Sequence, residues 1–396
     1  IMSSFYTTLT GLNAFHSQIE QISNNMANVE TTAYKSNNIS FKEVLTNTMT
    51  LNSASSVVAG KGVKIMGSTT CWEQGDLTET GNTNDLAISG EGFFIVSDDY
   101  GTYYTRDGSF QYDEDGLLVN NYRMAVQGYA INEDGTLGNL GDIQLSTAPI
   151  LPTATSEIST QLNLNSGTTA TETFDTTVSV YDSLGNKIPM EITFTKTATA
   201  NQWTWAAGIP AGLGSTVSGG TITFDNNGNL AACTKTINLT LTNGATSPQA
   251  ITWDIAATDL TQYASDSRLA ASSQDGNATG TLAKVTVNDD GIITGTYSNG
   301  EIRSLYQVAL ALFSNNDGLD KVDNSLYVAT GSSGAAVIGA AGTDQYGSIT
   351  AGALEVSNVD MAAEMADLVI AQRAYEACAK LMKAESEIMQ TTVNMT

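Results

Sequence analysis

The last forty residues constrain the fold most, because they carry the longest uninterrupted helical pattern in the chain. No Pro or Gly follows Ser357. Ser357, with Asp360 three residues later, resembles a capping box and predicts a helix of about 35 residues. Apolar residues recur there at a spacing of seven and are flanked by a second apolar set: Met361, Leu368, Tyr375, Met382 and Met389, flanked by Ala371, Ala374, Cys378, Leu381 and Ile388. Such a heptad seam needs a helical partner.

A matching heptad seam begins at the N-terminal end of the chain. Its residues fall at a and d positions: Phe5, Leu12, Ile19 and Met26, with Phe15, Ile22 and Val29 three residues after the last three of these. Two amphipathic helices therefore bracket the chain. They either pack on their own domain or dock into a polymer, because long helices without a compact core are marginal alone.

Between the helices, short apolar runs alternate with turn signals, which indicates β-structure. The predicted fold is mainly β with long terminal α-helices: two nested β-rich domains, each a barrel or a sandwich, plus a terminal coiled-coil helix pair. The predicted boundaries are 1–35 and 356–396 for the helical domain, 36–70 for an extended connector arm, 71–145 and 285–355 for an inner discontinuous β-domain, and 146–284 for an inserted outer β-domain. Polar crossings near 145–171 and 270–290 are candidate hinges.

Composition excludes several classes of function. A formal net charge of −25 disfavours nucleic-acid binding, which depends on Lys and Arg. His16 is the single histidine, so a His-dependent triad or a His-rich metal site is excluded by count. Cys71, Cys233 and Cys378 lie too far apart in sequence to suggest a disulfide framework or a zinc site. The sequence predicts no enzyme, no cofactor and no metal.

Two further patterns have competing interpretations. Acidic turns such as Asp113–Gly116 resemble calcium loops only partly, since Tyr122 stands where an EF-hand needs Glu. Hairpin turns are the preferred interpretation. Trp203 and Trp205 alternate on one face of a predicted strand, which favours core packing over carbohydrate stacking or an aromatic interface.

Targeting signals are also missing from the sequence. No basic residue precedes Lys35, which argues against a secretory signal peptide. No apolar run approaches the length of a transmembrane helix, so no membrane insertion is expected.

Two motifs resemble a known family. Residues Ser23–Lys35 resemble the opening signature of bacterial flagellar rod and hook proteins, and Leu354–Asp360 with Gln372–Tyr375 resembles their closing signature. The residues that carry the resemblance are Asn24, Asn25, Asn28, Tyr34, Lys35, Ser357, Asn358, Gln372 and Arg373. The chain departs from the family at Cys378, where Asn is usual, and at Ala33, where Gly is usual. The second departure puts a positive φ after the first helix in doubt, because Ala adopts that conformation poorly.

The resemblance implies a structural subunit whose polymer forms a curved, hollow universal joint in the extracellular flagellar hook. The terminal helices would line its inner tube, so their heptad residues are the predicted polymer interface. Implied partners are further copies of the chain, the rod, the hook cap, the hook–filament junction proteins and an export apparatus that needs no cleaved signal peptide. Two alternatives stay open: a distal-rod protein of the same family, and a secreted β-rich adhesin or calcium-binding surface protein.

Overall fold

The computed structural model describes residues 2–45, 49–50, 56–57, 60–132, 134–216 and 218–394. The chain divides into two compact units. The first unit comprises Ile1–Leu145, Thr286–Thr294 and Ser304–Thr396, and the second comprises Ser146–Val285 and Gly295–Arg303. This division differs from the predicted one at Gly295–Arg303, which the sequence placed in the inner domain.

The regular elements are mostly strands, with one long helix near each end. In chain order they are α1 Met2–Ala27, β1 Asn37–Leu45, β2 Met49–Thr50, β3 Ser56–Val57, β4 Gly60–Thr70, β5 Leu77–Glu79, β6 Leu86–Ser89, β7 Phe93–Asp98, β8 Gly101–Thr105, β9 Phe110–Tyr112, β10 Leu118–Asn120, β11 Ala125–Ile131, β12 Leu137–Asp142, β13 Glu157–Asn163, β14 Thr173–Tyr181, β15 Lys187–Lys196, β16 Gln202–Gly208, β17 Gly214–Thr216, β18 Gly219–Phe224, β19 Leu230–Cys233, β20 Thr236–Leu241, β21 Gln249–Asp254, β22 Leu260–Thr261, β23 Arg268–Gln274, β24 Leu282–Val287, β25 Ile292–Tyr297, β26 Ile302–Leu312, β27 Asp320–Lys321, β28 Leu326–Val328, β29 Val337–Ala340, β30 Ser348–Ala351, β31 Ala353–Glu355 and α2 Met361–Asn394.

The ends of the two helices correct the sequence analysis in two places. Asp360, not Ser357, caps α2, because its Oδ1 accepts N–H bonds from Ala362 at 2.8 Å and Ala363 at 3.3 Å. Ser357 Oγ instead accepts the N–H of Val359 before the helix begins. At the other end α1 stops at Ala27, so Val29 lies in the turn that follows and is not a helical seam position.

The connector arm is a two-stranded antiparallel ladder of β1 and β4, where the sequence predicted an extended segment. Leu51, an apolar residue of this predicted segment, lies outside the described residues. The arm packs on α1, where Thr10 Oγ1 accepts the Val63 N–H at 3.3 Å. Gly62 makes this approach possible: it has φ +98°, and a Cβ there would lie 2.0 Å from Thr10 Oγ1.

Gly62→Ala is expected to detach the arm from α1. The clash adds to a left-handed backbone cost of about 1–2 kcal/mol for an L-residue, so the arm should lose about 2–4 kcal/mol of local stability. Hydrogen exchange of β4 and of the middle of α1 measures this loss. Gly67→Ala is the matched control, since a Cβ there meets nothing within 4 Å. Equal exchange in both variants would show that the arm is not held at Gly62.

The β-structure of the first unit is built around β7 and β26. Strand β7 pairs with β8, β11 and β26, and β8 pairs in turn with β28. Aromatic and small side chains from these strands share one core. Phe93 and Tyr327 are almost fully buried, and Trp72 packs 5.1 Å from the Tyr327 ring. This core belongs to the same compact unit as the terminal helices.

The second unit is a sandwich of two open sheets, so of the two predicted forms the sandwich is confirmed and the barrel is wrong for the described residues. One sheet has the order β17-β20-β21-β13-β22, and the other has the order β14-β15-β16-β18-β19. Both sheets contribute to one core. Trp203, Trp205 and Trp253 are all buried in it, which confirms the prediction that the alternating tryptophans pack inside.

The acidic turns are hairpin turns, as predicted. Asp113 Oδ1 accepts the N–H groups of Asp115 and Leu117, and Gly116 adopts φ +79°. The turns that start at Asp225 and Asn288 repeat this arrangement. The side-chain oxygens are therefore used to fix the backbone.

Candidate functional site

The terminal helices form an antiparallel pair within one chain. Asn25 Nδ2 of α1 donates to Glu364 Oε1 of α2 at 2.9 Å, and the His16 and Tyr375 ring centroids lie 6.4 Å apart. Further along, a Cβ on Gly11 would lie 3.5 Å from Cys378 Sγ. Because residue numbers fall along α1 as they rise along α2, the two helices run in opposite directions.

The predicted interface residues are mostly shielded from solvent. Ile22 is 6% exposed. Met361 is the exception at 47%, because it stands at the first position of α2. The other predicted positions are all of intermediate burial: Phe5, Leu12, Phe15, Ile19, Met26, Val29, Leu368, Tyr375, Met382 and Met389. We call the predicted heptad residues of both helices the first seam. Within a single chain, the first seam thus lies at or near the contact between the two helices.

A second apolar seam on α2 stays exposed. Ile370, Leu381 and Ile388 are 64%, 58% and 56% exposed, and Ala377 and Ala384 lie between them. Their spacings of seven and four residues are those of d and a positions, on a different face from the seam against α1. Leu381 and Ile388 were predicted to flank the first seam, and in the single chain both are exposed. No helix among the described residues is long and apolar enough to span a membrane.

A buried ion cluster joins distant parts of the first unit. Lys35 Nζ lies 2.5 Å from Glu355 Oε1, and Arg106 Nη1 lies 3.4 Å from Glu355 Oε2. The Lys35 and Glu355 side chains are 1% and 0% exposed, and that of Arg106 is 8% exposed. Lys35 also donates to the Glu73 carbonyl at 2.7 Å. One carboxylate therefore neutralises two cations that come from separate segments.

Burial sets the electrostatics of this cluster. Loss of hydration lowers the pKa of both Lys35 and Arg106, and the adjacent Glu355 carboxylate acts against that change. Glu355 Oε1 accepts a further bond from the Gly75 N–H at 2.9 Å. The polar atoms of the cluster thus bond to one another. The cluster therefore serves as a structural joint, which holds separate segments of the first unit together.

Two asparagines from the signature motifs brace the same joint. Asn358 Oδ1 accepts the Ser36 N–H at 2.8 Å, and its Nδ2 donates to the Cys71 carbonyl at 2.9 Å. Asn25 Oδ1 accepts bonds from the Asn37 N–H at 3.1 Å and the Tyr34 hydroxyl at 3.3 Å. The opening and closing motifs therefore meet in space.

The nine motif residues divide between the joint and the surface. The buried members are Asn25, Tyr34, Lys35 and Ser357, the intermediate ones are Asn28 and Asn358, and the exposed ones are Asn24, Gln372 and Arg373. Ala33 adopts φ +54° despite its side chain, and its N–H donates to the Glu355 carbonyl at 2.8 Å. The positive φ that the sequence put in doubt is therefore present.

Two central residues of the cluster, Glu355 and Arg106, were not predicted from the sequence. Glu355 lies inside the closing motif, but nothing in the pattern marked it as the partner of Lys35. Arg106 lies in a strand-rich segment with no motif around it. A buried charge requires a partner, so a search for an acidic residue to pair with Lys35 could have raised Glu355 as one candidate among many.

Comparison with known proteins decides the family. The flagellar hook protein FlgE of Salmonella typhimurium is 35% identical to this chain over 99% of the chain and 100% of that protein. The chain belongs to the flagellar hook protein family. The hook protein FlgE of Escherichia coli K12 is 34% identical over the same shares of both chains. This assignment excludes a secreted adhesin, and the names of both relatives favour hook over rod.

Family profiles agree with the hook protein assignment, and a solved structure supports the fold. The profile of the flagellar hook protein FlgE/F/G D1 domain matches residues 87–164, and the flagellar basal body protein FlaE D2 domain matches 145–277. The flagellar basal body rod FlgEFG protein C-terminal profile matches 350–395. The crystal structure of Helicobacter pylori hook protein FlgE2 has a TM-score of 0.54 at 15% identity, covering 69% of this chain and 98% of that one. It supports the fold.

Proposed function

We propose that this hook subunit polymerises through its terminal helices into a curved, hollow tube that transmits torque from rod to filament. The second seam of α2 carries the proposal. Ile370, Leu381 and Ile388 form an exposed heptad stripe on a helix that is already packed against α1. Apolar stripes of this kind mark helical interfaces. Copies of the same chain are the proposed partners, because head-to-tail contacts generate an open helical polymer.

The proposal gives the two seams different tasks. The first seam, from Phe5 to Met26 and from Leu368 to Met389, holds α1 and α2 together as one unit. The second seam joins that unit to its neighbours. The predicted crossings near 145–171 and 270–290 are the proposed hinges between rigid bodies.

The rest of the proposal concerns partners and location. The rod, the hook cap and the hook–filament junction proteins are proposed to contact the ends of the polymer. The chain is proposed to leave the cell through the flagellar export apparatus without a cleaved signal peptide. No enzymatic role is proposed, since the polar atoms of the buried cluster are directed at one another.

Leu381→Asp is expected to block polymerisation while leaving the free subunit folded. Leu381 is 58% exposed in a single chain, so a carboxylate there costs the monomer little. In a packed interface the same carboxylate is buried without a partner, at a cost of several kcal/mol. Sedimentation of assembled polymer at increasing subunit concentration measures the effect, and the critical concentration should rise at least 100-fold.

Gln390→Asp is the matched control, because Gln390 is exposed on another face of the same helix. It should assemble like the unmodified chain. Ile22→Asp would not discriminate, since Ile22 is already buried within one subunit and its loss would disturb the helix pair. Normal assembly of Leu381→Asp would show that the second seam is not the polymer interface.

A further inference from the structure

Three asparagines of the chain are followed by glycine: Asn227–Gly228, Asn243–Gly244 and Asn299–Gly300. In such a pair the glycine nitrogen can attack the carboxamide carbon of the asparagine, because glycine has no Cβ to hinder the approach. The reaction also requires a carboxamide that is free to turn toward that nitrogen. The bonds that the fold gives to each carboxamide therefore decide which pair reacts.

The carboxamides of Asn227 and Asn243 have opposite environments. Asn243 Nδ2 donates to Asp182 Oδ2 at 2.6 Å, and its Oδ1 accepts the Ala245 N–H at 3.2 Å. Both ends of that carboxamide are therefore held in place. Asn227 is exposed, and its carboxamide has no hydrogen-bond partner among the described residues.

The third carboxamide, that of Asn299, is also held at both ends. Its Nδ2 donates to the Ala278 carbonyl at 2.7 Å, and its Oδ1 accepts the Glu301 N–H at 3.1 Å. Both bonds must break before the carboxamide can turn. Of the three pairs, the one at Asn227 thus has the least restrained side chain.

The pairs at 227 and 299 lie in closely similar turns. The Gly228 N–H donates to the Asp225 carbonyl at 3.1 Å, and the Gly300 N–H donates to the Tyr297 carbonyl at 2.9 Å. The two glycines adopt φ +84° and +86°. The attacking nitrogen is therefore engaged to a similar degree in both turns. The turns differ at the carboxamide, so the pair at 299 is an internal control for the pair at 227.

We propose that Asn227 is a site of spontaneous deamidation in this protein. The Gly228 nitrogen forms a bond to Asn227 Cγ, the Cγ–Nδ2 bond breaks, and ammonia leaves with the proton of the Gly228 N–H. Water then opens the resulting succinimide ring at one of its two carbonyl carbons. One opening gives aspartate, and the other gives isoaspartate, in which the main chain runs through Cβ and Cγ. Both products add a negative charge, and water is the only reagent consumed.

The turn at Asn227 lies where the two sheets of the second unit meet. It joins β18 to β19 of one sheet, and Gln262 follows β22 of the other sheet. The Gly228 carbonyl accepts the Gln262 N–H at 2.8 Å, and Gln262 Oε1 accepts the Trp203 Nε1–H at 3.2 Å. Isoaspartate adds one carbon atom to the main chain directly before Gly228. We therefore expect it to weaken the bond between Gly228 and Gln262.

Peptide mapping of the full chain, incubated at neutral pH, compares the three sites in one sample. Asn227 should deamidate at least about tenfold faster than Asn243 or Asn299, because the carboxamides of these two must first lose their bonds. In urea the three rates should agree within about threefold, because the same dipeptide is then unprotected at each site. Equal rates in the folded chain would overturn the proposal. A lead of Asn227 that persists unchanged in urea would also overturn it, because the fold would then not determine which site reacts.

Hydrogen exchange tests the effect on the junction between the sheets. Chains that carry isoaspartate at position 227 should exchange about tenfold faster at β19 and Gln262 than fresh chains. Asn227→Asp adds the charge without lengthening the main chain, so it should exchange like the fresh chain. Asn227→Ser cannot deamidate, and the same incubation should leave its exchange unchanged. Isoaspartate chains that exchange like fresh chains, or an equal change in incubated Asn227→Ser, would overturn the weakened junction.

Discussion

Replacing Glu355 with Gln is expected to destabilise the first unit by about 3–5 kcal/mol, because it leaves two buried cations without a counter-charge. Lys35 and Arg106 both depend on this one carboxylate. Hydrogen exchange followed by mass spectrometry measures the loss in β7 and β26. The second unit has a separate core and serves as an internal reference.

Lys35→Met should cost less than Glu355→Gln. Glu355 would keep Arg106 at 3.4 Å and the Gly75 N–H at 2.9 Å, so no buried charge would lose all its partners. Glu20→Gln removes an exposed pair with His16 and should change stability by less than about 0.5 kcal/mol. A loss below about 1 kcal/mol for Glu355→Gln would contradict a central role for the cluster.

Excising the second unit is expected to change the curvature of the polymer while allowing a tube to form. The variant joins Leu145 to Thr286 and Thr294 to Ser304 through short Gly-Ser linkers, following the boundaries of the two units. The helix pair, the buried cluster and the core around Phe93 all remain. The acidic surface of the second unit favours weak, exchangeable contacts between copies. Loss of these contacts should give straighter or erratically curved tubes.

Electron microscopy of the polymers and a motility assay measure this effect. The control carries the same linkers at the same junctions without the deletion, and it should form normally curved tubes. If the excised chain forms no tube although hydrogen exchange shows a folded first unit, the second unit is an assembly element. The proposed division between tube and curvature would then be wrong.

Sequence periodicity predicted both terminal helices but could not separate the apolar residues of α2 that face α1 from those that are exposed in a single chain. Leu381 and Ile388 share the heptad spacing of Leu368 and Tyr375, and the spacing alone does not show where α1 lies. Which face of α2 packs on α1 is set by tertiary contacts, such as the hydrogen bond from Asn25 to Glu364. The N-cap was misplaced for a local reason, since Ser357 and Asp360 are both good capping residues.

The buried cluster was beyond sequence reasoning for a different reason. Lys35, Arg106 and Glu355 lie far apart in the sequence, and their pairing depends on three separate segments meeting. Turn chemistry, by contrast, is local. The Asp113 and Asp225 turns could be identified from the order of Asx and Gly, because the side-chain oxygen bonds N–H groups only two and four residues away.

Electron microscopy of polymers assembled from the unmodified chain tests the proposed hook function most directly. We expect curved, hollow tubes, and a density map should place Ile370, Leu381 and Ile388 at contacts between α2 helices of neighbouring subunits. Straight, stiff shafts would indicate a rod protein. Tubes in which the second seam of α2 faces solvent would contradict the helical interface proposed for this chain.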